Sequence, residues 1–191
     1  LNLKKFDQFK LKANNKPTIL WNHRWEYDKN PELFFNTLKK LKENNIGFKL
    51  VVVGESFSKA PSIFDEAKKI LSDNIIHWGY AKTFGEYADN LWKSNILPVT
   101  SIQDFFGISI MEAIYCNNLP ILPYGLSYKE LVPERFRELV FYENDQSFYQ
   151  KVYWAINNYS KIELSPLKTN AKKFDWNIMA PIYDDFFYDL I

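Results

Sequence analysis

The sequence predicts a doubly wound α/β domain, a parallel sheet covered by helices on both faces. Two observations carry this expectation. Short apolar runs recur at residues 18–21, 48–53, 75–78, 96–99, 120–123 and 139–142. They are apolar throughout rather than alternating, as strands buried on both faces must be. Between them lie segments with apolar residues at helical spacing, so each strand reads as joined to the next by a helical crossover.

The elements are marked in order. Thr18-Ile19-Leu20-Trp21 is too brief for a helix and is bounded by Pro17 and a charged loop. Pro31-Glu32 opens a helix with Leu33, Phe34, Leu38 and Leu41 at helical spacing, closed by Asn44-Asn45 and Gly47. The strand at 48–53 stops at Gly54, a helix spans 61–71, and the strand at 75–78 stops at Gly79. Helices at 84–92, 108–116 and 148–159 alternate with the remaining strands. Residues 1–16 read as a polar, lysine-rich lead-in, 17–165 as the domain, and 166–191 as a helical tail. Phe174, Trp176, Ile178, Ile182, Tyr183, Phe186, Phe187 and Tyr188 give that tail more aromatic surface than one sheet face needs, as in an element that bridges to another domain.

Composition narrows the function. The 191 residues fit about one domain, able to bury roughly 70% of its unfolded surface without a metal or disulfide staple. Twenty-four basic against 23 acidic residues leave +1, so there is no bulk pull toward nucleic acid or anionic lipid and any anion binding is local. The single Cys116 excludes an internal disulfide, and His23 and His77, far apart, give no metal-ligand spacing. No metal or cofactor is therefore expected. No run approaches 18 apolar residues, and the chain reads as soluble and cytoplasmic, without a membrane span. Beginning at Leu1, it reads as part of a longer protein.

Ligands of such sheets sit beyond the carboxyl ends of the strands, where the strand order reverses. The six glycines, at 47, 54, 79, 85, 107 and 125, cannot form a P-loop or a G-x-G-x-x-G turn, and no G-x-S-x-G elbow occurs. The loop from Thr100 to Ala113 is the most informative. It leaves a strand, carries Asp104, turns at Gly107 and enters a helix bearing Glu112. The free N–H groups of the Gly107, Ile108 and Ser109 region suit an anion such as a diphosphate. Ile108, Met111, Ile114 and Tyr115 read as the core stripe, with Ser109, Glu112 and Cys116 on another face. Glu112, and one loop earlier Asp104, would then accept hydrogen bonds from polyol hydroxyls. In the loop after the first strand, Arg24 and Lys29 would clamp a diphosphate without a metal, unless Arg24 pairs with Glu26 or Asp28. His23 reads as a strand-end hydrogen bonder.

Arg24…Lys29, Ser101 and Asp104…Glu112 stand in the order and on the elements seen in family-four GT-B glycosyltransferases, whose marks are an Arg…Lys pair, a preceding Ser and an E-x7-E element. The chain resembles the C-terminal, donor-binding half of that fold, a Rossmann-like domain, from Thr18 to the tail. The wording Trp21-Asn22-His23-Arg24-Trp25-Glu26, then Asp28-Lys29-Asn30-Pro31, with Phe105-Phe106-Gly107, is similar to the tRNA-queuosine α-mannosyltransferase family. The resemblance implies a retaining transfer of mannose from GDP-mannose to queuosine in tRNA. Arg24 and Lys29 would bind the diphosphate and stabilise the leaving group, Glu112 would hold the ribose, and Asp104 would touch the transferred sugar beside the Gly107 and Ile108 amides. The backbone from His77 through Gly79 to Tyr80 would line the base pocket. Ser101 and Ser109 complete the expected donor site. An N-terminal GT-B domain would supply the acceptor wall, with the tail crossing to it. Asp104 departs from the family's usual Glu by one methylene. Two other readings stay open: a non-catalytic nucleotide- or partner-binding module, and a GT-B nucleotide-sugar epimerase fragment.

Overall fold

The computed structural model describes residues 1–12, 14–55 and 59–188. Among these, six strands form a parallel sheet: β1 (Thr18–Trp21), β2 (Lys49–Val53), β3 (Ile75–Gly79), β4 (Ile96–Pro98), β5 (Leu119–Pro123) and β6 (Phe141–Tyr142). Their order is β3-β2-β1-β4-β5-β6, the doubly wound arrangement the sequence predicts. The helices are α1 (Pro31–Glu43), α2 (Ile63–Ile70), α3 (Phe84–Lys93), α4 (Ile108–Tyr115), α5 (Tyr128–Leu131), α6 (Glu134–Val140), α7 (Asp145–Asn158), α8 (Ser165–Lys172) and α9 (Trp176–Tyr188). Helices α1, α2 and α7 pack together as one layer, and α3, α4 and α8 as the other.

Local chemistry sets the boundaries. Pro31 occupies the first turn of α1, where its missing N–H costs nothing, and the Asn30 side chain accepts from the Leu33 N–H at 3.4 Å. Thr83 caps α3 by accepting from the Glu86 N–H at 3.1 Å. All four residues of β1 are buried, with Trp21 packed at 4.9 Å from Phe34 and 5.7 Å from Phe64.

Three expectations change. The strand expected at 139–142 shortens to Phe141–Tyr142, because Leu139 and Val140 complete α6. Phe136 and Val140, one turn apart, share the buried face of that helix, a period-3.6 signal hidden inside a short apolar run. Ile108 leaves the expected core stripe and is 58% exposed, whereas Cys116, expected on the polar face, is buried. Met111, Ile114 and Tyr115 are buried as expected, and Ile110 and Ala113 join them. The lead-in, expected to be polar, is tied into the core: a 3₁₀ helix, Leu3–Phe9, buries Leu3 and Phe6, and the Leu3 N–H donates to Asp175 Oδ2 at 2.7 Å. The apolar face of this short segment is only two residues wide, too little for periodicity to show.

The tail divides. Helix α8 lies against α4, whereas α9 buries no side chain, and Trp176, Ile182, Phe186 and Phe187 are each more than half exposed. Residues 189–191 of the expected tail lie outside the described residues. Among the described residues no helix is long and apolar enough to cross a membrane.

Gly54, which ends β2 at φ +144, lets the loop after β1 pass close by. A Cβ there would stand 2.4 Å from the His23 carbonyl oxygen, whereas one at Gly47 would meet nothing within 4 Å. Gly54→Ala is expected to lower stability by about 2 to 4 kcal/mol, and Gly47→Ala to change it by less than about 0.5 kcal/mol. Urea denaturation of both variants checks this contrast.

Candidate functional site

Because β1 lies between β2 and β4, the chain reverses its winding there, and the loops leaving β1 and β4 part to open a crevice. Four hydrogen bonds lace those loops together. Thr100 Oγ1 donates to the Lys29 carbonyl at 2.7 Å and the Ile102 N–H to the Asp28 carbonyl at 2.8 Å. Lys29 Nζ donates to the Gln103 carbonyl at 2.8 Å, and Asn22 Nδ2 to the Ser109 carbonyl at 2.8 Å. The result is a cleft of about 500 Å³ whose walls include Arg24, Lys29, Asp104, Gly107, Ile108, Ser109 and Glu112. Seven of the residues expected at the donor site thus meet in one place.

The charges are arranged in opposition. Arg24 lies 3.1 Å from Glu26 and 3.8 Å from Asp28, and its side chain is 53% exposed. This pairing matches the alternative raised for Arg24, yet the guanidinium stands at the cleft wall. Lys29 is buried, 3.2 Å from Asp28 and 4.0 Å from Asp104. With Asp28, Asp104 and Glu112 facing Arg24 and Lys29, the lining carries three acids and two bases. Net charge cannot be what draws an anion in. Local donors can: Gly107, at φ +81, caps α4 without a side-chain hydrogen bond, leaving the Ile108 and Ser109 N–H groups without intrahelical partners. A Cβ at position 107 would approach Ile110 Cδ1 to 3.1 Å and Tyr128 Cε1 to 3.3 Å, so positive φ and close packing both require glycine.

Each acid is held by a tyrosine. Tyr87 OH donates to Glu112 Oε2 at 2.7 Å, and Tyr128 OH donates to Asp104 Oδ2 at 3.1 Å. Burial raises the Glu112 carboxyl above the usual carboxylate range, and the Tyr87 hydroxyl offsets part of that rise. Neither tyrosine is among the expected site residues. Tyr87 lies in an ordinary amphipathic helix and Tyr128 in a segment without strong periodicity, so no sequence signal marks them.

A second cleft of about 410 Å³ shares Asn22, His23 and Arg24 with the first and continues along Gly54, Glu55, Tyr80, Lys82, Thr83 and Tyr87. Tyr80 stands in its wall and is 61% exposed. Gly79 and His77 line neither cleft, and the His77 ring is held by the Gly79 carbonyl at 3.1 Å, with Glu86 at 3.8 Å. Ser101 is buried behind the first cleft rather than in its wall. His23 lines both clefts. Burial, and then the Lys29 charge, push its imidazole down to about 4, so it is neutral at pH 7, with Nδ1 at 3.4 Å from Ser109 Oγ.

A parallel sheet in this order thus opens at its switch point onto a helix N-terminus without a side-chain cap, two cations and two anchored acids. The profile described as Glycosyl transferases group 1 matches residues 4–174, and the chain belongs to that family. It is a glycosyltransferase domain of the GT-B type. The tRNA-queuosine alpha-mannosyltransferase of Drosophila melanogaster is 35% identical over 116 residues, 61% of this chain and 30% of the fly protein. A glycosyltransferase from Rickettsia africae ESF-5 superposes with a TM-score of 0.76 at 19% identity, over 99% of this chain and 55% of its own. Sucrose-phosphate synthase from Thermosynechococcus elongatus gives 0.75 at 18% identity, over 100% of this chain and 51% of its own. At such identities the two structures bear on the fold alone. The chain thus spans under a third of the fly relative and about half of each solved chain.

A carboxyl raised in the folded state favours folding at low pH and opposes it once the pH climbs past its unfolded value. Glu112→Gln is therefore expected to raise the denaturation midpoint at pH 7, with the gain shrinking as the pH falls toward about 4. Urea titrations at several pH values read this out; a lower midpoint at pH 7 contradicts it.

Proposed function

We propose that this chain is the donor-binding half of a retaining, metal-independent glycosyltransferase that takes mannose from GDP-mannose and acts on queuosine in tRNA. The observation that carries the reading is the convergence of Arg24, Lys29, Asp104 and Glu112 on one cleft in front of the α4 N-terminus. Metal independence follows from that set: the charge of a departing diphosphate is met by two side-chain cations and the first-turn amides. The queuosine acceptor and the mannose donor come from the fly relative's name and from the loop wording.

As the bond from the anomeric carbon to the β-phosphate oxygen breaks, its electron pair leaves with the nucleoside diphosphate and negative charge grows on the phosphate. Lys29, held by the Gln103 carbonyl, and the amides of Ile108 and Ser109 are fixed beforehand where that charge develops. Arg24 turns from Glu26 and Asp28 to the phosphate. Being half exposed, that pairing is worth no more than about 1 kcal/mol and yields readily to a dianion. Glu112 holds the ribose hydroxyls and Asp104 a hydroxyl of the sugar, while the second cleft, with Tyr80 in its wall, takes the base. The new bond forms from the acceptor hydroxyl oxygen to the same carbon, the hydroxyl proton passing to the departing β-phosphate oxygen, and retention is carried over from the family resemblance. An N-terminal Rossmann-like domain supplies the acceptor wall and covers the exposed aromatic side of α9, and the whole protein works in the cytoplasm.

Calorimetry with GDP in the presence of EDTA is expected to show binding, and its absence at millimolar GDP, or its dependence on magnesium, overturns the site. Glu112→Gln should weaken bare GDP by about 1.5 to 3 kcal/mol, whereas Asp104→Asn should spare GDP and weaken GDP-mannose. The chain alone should fold yet transfer no mannose from GDP-mannose to queuosine-containing tRNA, since positioning of two substrates needs both walls of the crevice. Transfer by the chain alone defeats the two-domain account, and failure of the full-length protein defeats the tRNA acceptor.

A further inference from the structure

The acids at positions 104 and 112 share one loop and helix, yet each takes its hydrogen bond from a tyrosine on a different element. Tyr87, on α3, is 25 residues from Glu112, and Tyr128, on α5, is 24 residues from Asp104. Each hydroxyl engages one carboxylate oxygen, Oε2 of Glu112 and Oδ2 of Asp104. No hydrogen bond from the described residues reaches the other oxygen of either acid. The rings are fixed: Tyr128 is fully buried against Gly107, and Tyr87 packs edge-on to Phe6 at 6.1 Å.

We propose that Tyr87 and Tyr128 are positioning residues, each hydroxyl locking one acid of the Asp104 and Glu112 pair so that its second oxygen faces a bound nucleotide sugar. The inference rests on the donor-site reading above and deepens it. A carboxylate on a flexible stem must be ordered when it binds, and a side chain already held avoids that loss. The donor must stay a donor for this to work. Burial first, and then the neighbouring carboxylate, raise both hydroxyls above the ordinary tyrosine range, so both keep their protons at neutral pH. The two locks differ in target. Tyr87 stands in the wall of the second cleft while Glu112 stands in the first, so this hydrogen bond joins the two where a ribose would lie between base and diphosphate. Tyr128 reaches Asp104 from beneath Gly107, on the side of the expected sugar.

The test compares Tyr87→Phe and Tyr128→Phe with the unaltered protein by calorimetry, using GDP, 2′,3′-dideoxy-GDP and GDP-mannose as probes. Tyr87→Phe is expected to weaken GDP about three- to tenfold and to leave dideoxy-GDP unchanged, because the lost lock serves only the ribose hydroxyls. Tyr128→Phe is expected to leave GDP unchanged and to weaken GDP-mannose by a similar factor. Since Tyr128 is fully buried, melting curves accompany each titration. The ratio of two affinities within one variant is insensitive to a uniform loss of folded protein. Equal weakening of GDP and dideoxy-GDP by Tyr87→Phe, or no weakening of either, overturns the proposal while leaving the donor site standing. Absence of GDP binding by the unaltered protein overturns both.

Discussion

The four residues of β1 hold the domain in register. Thr18 to Trp21 pair with β2 along their whole length, and Ile19 also pairs with Ile96 of β4. This one strand therefore fixes the line along which the sheet changes its winding, and so where its loops part. Trp21 completes the constraint. Its ring lies among Phe34, Phe35 and Phe64, and its Nε1 donates to the His23 carbonyl at 2.9 Å, setting the first bend of the loop. Gly54 leaves room for that bend at the end of β2, and Trp25, stacked on Phe64 at 4.5 Å, holds the far side. Asn22, His23 and Arg24 are thereby delivered to both clefts by main-chain geometry.

The site keeps its cations available by lightly occupying them. A buried cation needs polar partners. Lys29 has them in the Gln103 carbonyl and the nearby Asp28 and Asp104 carboxylates. Arg24, more exposed, is balanced by Glu26 and Asp28 and can exchange them at little cost. The neutral state of His23 belongs to the same balance, since a third charge beside Lys29 would be opposed by desolvation. Under the proposed donor reading, an incoming diphosphate would replace protein carboxylates instead of meeting bare charge.

The apolar surface is uneven in a way that follows from this arrangement. The sheet core is closed, with β1, β2, β4 and β5 nearly inaccessible, yet Phe105 is 89% exposed at the rim of the first cleft and α9 buries nothing. These are the places where a domain holding one wall of a crevice would be expected to leave hydrocarbon uncovered.

The sequence by itself determined the sheet and most of its helices, because strands buried on both faces must be apolar throughout and helices against them must be apolar every third or fourth residue. It also put Arg24, Lys29, Asp104 and Glu112 on the loops after β1 and β4 and on the following helix, from which the structure brings them to the wall of one cleft. Only the tertiary structure decided the rest. Leu139 and Val140 join a helix because Phe136, outside the apolar run, shares their buried face, and Leu3 and Phe6 fill the core because Asp175, at the far end of the chain, receives the Leu3 N–H. His77, Gly79 and Ser101 turn away from the clefts while Tyr87 and Tyr128 turn toward the acids. Those outcomes depend on contacts between residues many positions apart, and neither local propensity nor spacing along the chain encodes which distant hydroxyl a carboxylate will meet.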